Sequence, residues 1–167
     1  MRAELFPAGL PLVHGPQLTA ELAAWAAARI PHVGDGGFGP CWAVGVARGR
    51  ALAAVVVLHD FQPTLGTVQL SAAAASPRWA SRQVVGAILG AAFLGRLGAP
   101  VRRVWMAMPH TNRRAIRFAK GVGFVVEATL REHFAPRVHA VVCGMLDREW
   151  KKRYVEAGHG QESAGRP

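Results

Sequence analysis

The sequence predicts an α/β fold, and three observations carry that reading. The stretch Val101–Phe124, VRRVWMAMPHTNRRAIRFAKGVGF, reads as a strand, a helix, a glycine stop and a new strand. Ahead of it, three strand-like runs lead into an amphipathic helix, and after it two more strand-like runs follow. The chain has 167 residues, 51% of them apolar, which suits one domain with a proper hydrophobic core. We expect a single domain over residues 1–156 and a disordered tail of mostly small or polar residues over 157–167.

Taken in order, residues 1–16 carry Pro7, Pro11 and Pro16, so at most one short strand fits there. Gln17–Ile30 reads as a core-packing helix with Leu18, Leu22, Trp25 and Ala26 on one face. His32–Pro40, with four glycines, is a flexible loop. Cys41–Ala47 and Ala51–His59 form a hairpin around Arg48-Gly49-Arg50. The third run, Thr67 to about Ala74, first alternates Val68 and Leu70 against Gln69 and Ser71. It then passes into SAAAAS, small side chains only, which suits a strand whose backbone meets a ligand closely. Ala72, Ala73 and Ala74 are therefore candidate ligand-facing residues. A helix is expected over Ser81–Leu97, with Val84, Val85, Ile88, Leu89, Ala92 and Phe93 buried, until Gly98-Ala99-Pro100 ends it. The next strand stops at Pro109, a helix begins at Asn112 with Ala115, Ile116, Phe118 and Ala119 as its apolar stripe, and Gly121 and Gly123 end it. Phe124 opens a strand continuing as VVEATLREHF, and VHAVVCGMLDREW holds the last one.

The charge balance is 20 Lys plus Arg against 10 Asp plus Glu, a net charge of +10. Such a chain favours acidic partners: phosphorylated cofactors, nucleic acid or acidic proteins. Basic clusters stand at Arg102–Arg103, Arg113–Arg114 and Arg148 to Arg153, without the interleaved aromatics of a base-stacking platform. No apolar run has the length of a membrane span, and MRAELFPAGL lacks the apolar segment of a signal peptide. Cys41 and Cys143 have neither metal spacing nor a disulfide framework, so no metal site and a cytoplasmic setting are expected.

The ordered set Asn112, Ala115, Ile116, Gly123, Phe124, Glu127, Ala128, Leu130 and Arg131 resembles the late part of the GNAT superfamily of N-acetyltransferases. There the pattern runs strand, N-x-x-[AS]-I, short helix, then G-F-x-x-E-[GA]-x-[LR]-R. The closing VHAVVCGMLDREW is similar to the last strand of ribosomal-protein and antibiotic acetyltransferases. The resemblance implies a mixed, twisted central sheet with helices on both faces, split near the ends of the Thr67 and Val101 strands.

It also implies acetyl-CoA as cofactor, its pyrophosphate bound at a helix start by free backbone N–H groups and the dipole. The family pattern [RQ]-x-x-G-x-[GA] is met only partly by Gln83-Val84-Val85-Gly86-Ala87-Ile88, which falls inside the expected helix. Alignment on Phe93 instead puts Pro77-Arg78-Trp79-Ala80-Ser81-Arg82 at the phosphate loop, which has no glycine. Arg78 and Arg82 would then supply charge-assisted contacts and Ser81 a helix cap, with Trp79 stacking on a base or anchoring the loop. Asn112 has two compatible readings, a helix cap and a residue beside the pantetheine arm.

Many relatives use a late-strand tyrosine as acid for the leaving thiolate. The only tyrosine here is Tyr154, beyond the last strand, and Cys143 stands where relatives often carry Tyr. Candidates for proton transfer are His59, Asp60, Glu127, His133 and His139. His59 also reads as an ordinary strand-end polar residue, and Glu127 as a structural one. Gln69 and Ser71 face alike and are placed to bond an acceptor.

The implied activity is acyl-CoA-dependent transfer to an amine of a small molecule or a protein. Two alternatives stand beside it. The His59-Asp60-Phe61 strand end and the Pro77-Arg78-Trp79 loop resemble phage-type GNAT-like proteins, among which the Mom type modifies adenine in DNA. The missing tyrosine favours a non-catalytic binding protein that kept the fold.

Overall fold

Seven strands hydrogen-bond in the order β1-β2-β3-β4-β5-β7-β6. The computed structural model describes residues 6–157, so the expected tail over 157–167 lies outside the described residues apart from Ala157. The elements are β1 (Leu12–Val13), α1 (Thr19–Ala27), β2 (Cys41–Arg48), β3 (Ala51–Gln62), β4 (Thr67–Ala74), α2 (Arg82–Phe93), β5 (Arg103–Pro109), α3 (Arg113–Val122), β6 (Val125–Ala135), β7 (Val138–Leu146) and α4 (Asp147–Trp150). α4 runs on as a π-helical turn over Lys151–Glu156. All neighbours pair antiparallel except β4 and β5, which run parallel.

The strand period of two divides the sheet into two apolar faces. Val44, Val56, Leu58, Val68 and Leu70 pack with Ile88 and Leu89 of α2, and α3 adds Ala119 to the same core. On the other face Ala43, Val55, Val57 and Ala73 receive Leu22 and Ala26 of α1. The expected mixed sheet with helices on both faces is thus present.

Several boundaries differ from the sequence reading, α1 being shorter than Gln17–Ile30 at both ends and β3 running past His59 to Gln62. α2 ends at Phe93, short of Leu97, because Gly95 takes the left-handed conformation and Arg96 N and Gly95 N donate back to Ala91 O and Ala92 O. α3 runs through Gly121; only Gly123, at φ +107°, closes it. The terminal helix after β7 is absent from the sequence reading. Its Trp150 and Tyr154 pack onto α2 where Gly86 and Gly90, four apart on one face, leave room: a Cβ at either would sit 2.8 Å from a Tyr154 or Trp150 ring carbon. Trp150 Nε1 donates to Gly86 O at 3.0 Å. The glycine in Gln83–Ile88 therefore serves helix packing.

The feature that positions the site is the junction of β4 and β5. Their pairing consists of Thr67–Arg103, Val68–Val104 and Gln69–Trp105, after which the two strands part. The sheet is split there, beside Ser71–Ala74 and Met106–Pro109.

Candidate active site

A cleft of about 1200 Å³ fills the split. One wall is Leu70–Ala74 of β4, the other Met106–Pro109 of β5, with Ile88 and Leu89 of α2 behind and His32 and Phe134 at the opposite mouth. The cleft thus passes from the α2 face of the sheet through the gap to the α1 face. Ser71, Ala72, Ala73, Ala74, Trp79 and Asn112, all candidates from the sequence, line it. Small side chains on β4 keep it open, and beyond Gln69 no strand among the described residues pairs with the β5 side of β4.

Asn112 caps α3, its Oδ1 accepting from Ala115 N at 3.1 Å, and also lines the cleft. Trp79 is half-buried, with its ring 5.4 Å from that of Phe118 across the cleft. Ser81 caps α2 through Oγ, which accepts from Val84 N at 3.2 Å. The loop arginines are outside the lining. Arg78 is exposed, its backbone N–H donating to Ser76 Oγ. Arg82 is turned to the C-terminal segment, donating to Arg153 O and lying 5.3 Å over the Tyr154 ring. The cleft's own cations are Arg29 and Arg114. Arg29 stacks on Trp25 at 3.7 Å and donates to Trp25 O.

A second cavity of about 380 Å³ adjoins the cleft on the α1 face, sharing Ser71, His32, Ala107 and Phe134 with it. His59 and Gln69 are register partners on β3 and β4, and Ser71 lies two residues along the same face. His59 Nε2 and Ser71 Oγ are 2.9 Å apart. Burial pushes the His59 imidazole below the ordinary histidine value, partly offset by the Asp60 charge. Phe38, from the glycine-rich loop, packs its ring 5.1 Å from His59.

The third wall comes from a bulge in β6. Register shifts between Leu130 and Ala135, where Glu132 takes φ +51°. Glu132 N donates to His139 Nδ1 at 2.9 Å, and His139 N donates to His110 Nδ1 at 3.1 Å. A bulge re-aims the side chains beyond it, here His133 and Phe134, which line the second cavity. The Phe134 ring lies 4.4 Å from His32 and 4.8 Å from His133. Burial, then the charge of His133, lowers the His32 pKa.

The remaining proton-transfer candidates are placed elsewhere. Asp60 is exposed at the β3 bulge, with φ +49° and its Oδ1 accepting from Gln62 Nε2 at 2.8 Å. Glu127 pairs with Arg103 across β7, and His139 braces the β6 bulge. Tyr154 donates its hydroxyl to Val122 O at 2.7 Å, and burial raises its pKa. Cys143 is fully buried in the core, and burial raises its pKa also. His32, Phe38 and Phe134 were not singled out from the sequence. The first two belong to the glycine-rich loop His32–Pro40, which the sequence marks only as flexible.

No family model matches the chain, and a search of curated proteins returns no match. Solved structures do match. A chimera of the spermidine N-acetyltransferase SpeG from Vibrio cholerae and hSSAT is 13% identical, with a TM-score of 0.64, covering 86% of this chain and 99% of that one. Spermidine/spermine N-acetyltransferase SpeG from Vibrio cholerae is 16% identical over 74% of this chain and 73% of its own, with a TM-score of 0.59. A probable acetyltransferase of the GNAT family from Chromobacterium violaceum is 22% identical over 77% and 67%, with a TM-score of 0.57. Another acetyltransferase-type structure, 20% identical at a TM-score of 0.60, has only 64% of its length spanned by this chain. The likeness, with the split between β4 and β5, gives this chain the fold of the GNAT acetyltransferases.

Proposed function

We propose that the protein is an acyl-CoA-dependent N-acyltransferase acting on an amine of a small molecule or a protein. One observation carries the reading: the apolar cleft through the sheet meets, at Ser71, a second cavity holding the His59–Ser71 pair. The neighbours' acetyltransferase activity supports acyl transfer in general. No helix among the described residues is long and apolar enough to cross a membrane. Both cysteines are free thiols, in keeping with a cytoplasmic setting.

The cleft fits an extended acyl-pantetheine arm. Its walls are apolar, the facing side chains of β4 are small, and the β4 edge is free of a strand partner beyond Gln69. Ser71–Ala74 and Asn112 would hold the arm. At the phosphate end, the glycine-free loop leaves the first-turn amides of α2, with Arg114 and Arg78 as cations, to meet the diphosphate. When bound, the cofactor supplies an activated acyl thioester. His59, whose charged form burial disfavours, would accept the amine proton through the Ser71 hydroxyl, which takes one proton as it passes its own on, and would return it to the departing sulfur as the C–N bond forms and the C–S bond breaks. Gln69 orients the amine from the neighbouring position on β4.

The test is thermal melting with acetyl-CoA followed by transfer assays. A ligand that binds only the native state at ~100 times its Kd stabilises it by about 2.7 kcal/mol. Ser71→Ala and His59→Ala should keep that shift and lower transfer by about 10²-fold or more. A melting curve unmoved by excess acetyl-CoA would remove the acyltransferase reading.

A second reading has one specific observation behind it. α3 exposes Arg113, Arg114, Arg117 and Lys120 beside the cleft and carries no acidic residue, which suits a polyanion. Modification of a base amine in DNA would leave a new adenine derivative among hydrolysed nucleosides of cells expressing the chain, visible by mass spectrometry.

A further inference from the structure

This inference rests on the acyltransferase reading and concerns what the smaller cavity accepts. Five rings surround it: Phe38 against His59, and Phe134 between His32 and His133. Gln69 and Ser71 are its other polar groups, and no carboxylate lines it. Of the carboxylates close by in sequence, Asp60 accepts from Gln62 Nε2, Glu132 from Arg137 N, and Asp35 is exposed on the glycine-rich loop outside the lining. The adjoining cleft also lacks a carboxylate and carries Arg29 and Arg114.

A polyamine brings several ammonium groups. In this chain it would meet two guanidinium groups and a net charge of +10, with no acid among the lining residues to pair with. Ring faces can hold one ammonium through cation–π attraction, but a second would remain unpaired. A flat amine conjugated to a ring is uncharged at neutral pH and needs no counter-charge. Its faces match the Phe38 and Phe134 rings, and its N–H groups can donate to Ser71 Oγ or to Gln69.

We propose that the smaller cavity takes a planar, unprotonated amine, aromatic or heteroaromatic, and discriminates against polyamines. In this respect the chain departs from the spermidine acetyltransferases whose fold it shares.

Calorimetric titration of the full chain at about pH 8 tests this. The probes are 6-aminoquinoline, cyclohexylamine and spermidine, with no acyl donor present. 6-Aminoquinoline should bind roughly tenfold or more tightly than either aliphatic amine. Phe38→Leu and Phe134→Leu should each weaken it roughly three- to tenfold, and Phe134→Tyr, which keeps the ring, should retain it. Equal or tighter binding of spermidine or cyclohexylamine overturns the proposal. So does unchanged 6-aminoquinoline affinity in both leucine variants. Because no cofactor is used, failure here is separate from failure of the acyltransferase reading: transfer onto cyclohexylamine without 6-aminoquinoline binding would sink this proposal alone.

Discussion

Gly144 decides what Glu127 is for. The residue is buried in β7, with Trp105 of β5 and Val125 of β6 as its register partners. Its missing side chain leaves the path by which Glu127 reaches across β7 to the Arg103 guanidinium. A Cβ at position 144 would lie 2.6 Å from the Glu127 Cδ and closer still to Oε1. Gly144→Ala must therefore expel the carboxylate. The lost pair contributes little, about 0.2–1 kcal/mol, because its side chains are 30% and 34% exposed and water screens them. Overpacking adds only about 1 kcal/mol, the low end of its range, because the clash is with the end of an exposed side chain that can swing to solvent. For a chain of this size each 1 kcal/mol moves Tm by about 2–4 °C, so the melting point should fall by roughly 2–8 °C.

Glu127→Ala should be milder, about 1 kcal/mol or less. In that background Gly144→Ala should lose most of its penalty, giving a coupling of about 1–2 kcal/mol in urea denaturation. Glu127→Ala should also leave acetyl-CoA affinity unchanged, since Glu127 lines neither cavity. A Gly144→Ala protein as stable as its parent refutes the packing argument. An equal penalty with and without Glu127 refutes the assignment of the clash.

Two predictions follow from the electrostatics. His32 and His59 have pKa values lowered by burial, so between their folded values and the unfolded value of about 6.5 the native state binds fewer protons. Their contribution is full above that unfolded value and is lost as pH falls through the window, so Tm should drop as pH falls below about 6.5. His32→Gln and His59→Gln should each make that drop smaller, and a parallel pH profile in both variants would count against partly desolvated imidazoles as its source. At the start of α2, Arg82→Ala should lower Tm, losing about 1 kcal/mol with its bond to Arg153 O, and leave acetyl-CoA affinity intact. Arg78→Ala should keep Tm and weaken binding of acetyl-CoA, or of duplex DNA, by roughly tenfold; no change with either ligand at low salt would remove Arg78 from the site.

What the sequence revealed and what it concealed divide along the range of the interactions. Asn112, Ser81 and Gly123 act on groups within a few residues of themselves, and their capping roles are legible in order along the chain. The small residues of Ser71–Ala74 were legible for a related reason. They run against strand propensity, and the exception marks the wall of the cleft. The smaller cavity follows the opposite rule. Its rings come from positions 32, 38, 59, 133 and 134, joined only by the sheet order, the bulge at Glu132 and the loop over β3. Gly86 was uninformative for the same reason: within its own helix it looks like half a phosphate motif. Its use appears only when Tyr154, 68 residues later, arrives to fill the space. Arg82 completes the case, since the π-helical segment that engages it was not foreseen and the residue consequently looked available for phosphate. The catalytic assignment therefore depends on the long-range half of the fold. It is His59, brought to Ser71 by strand register and covered by Phe38, that distinguishes this cavity from an ordinary strand end.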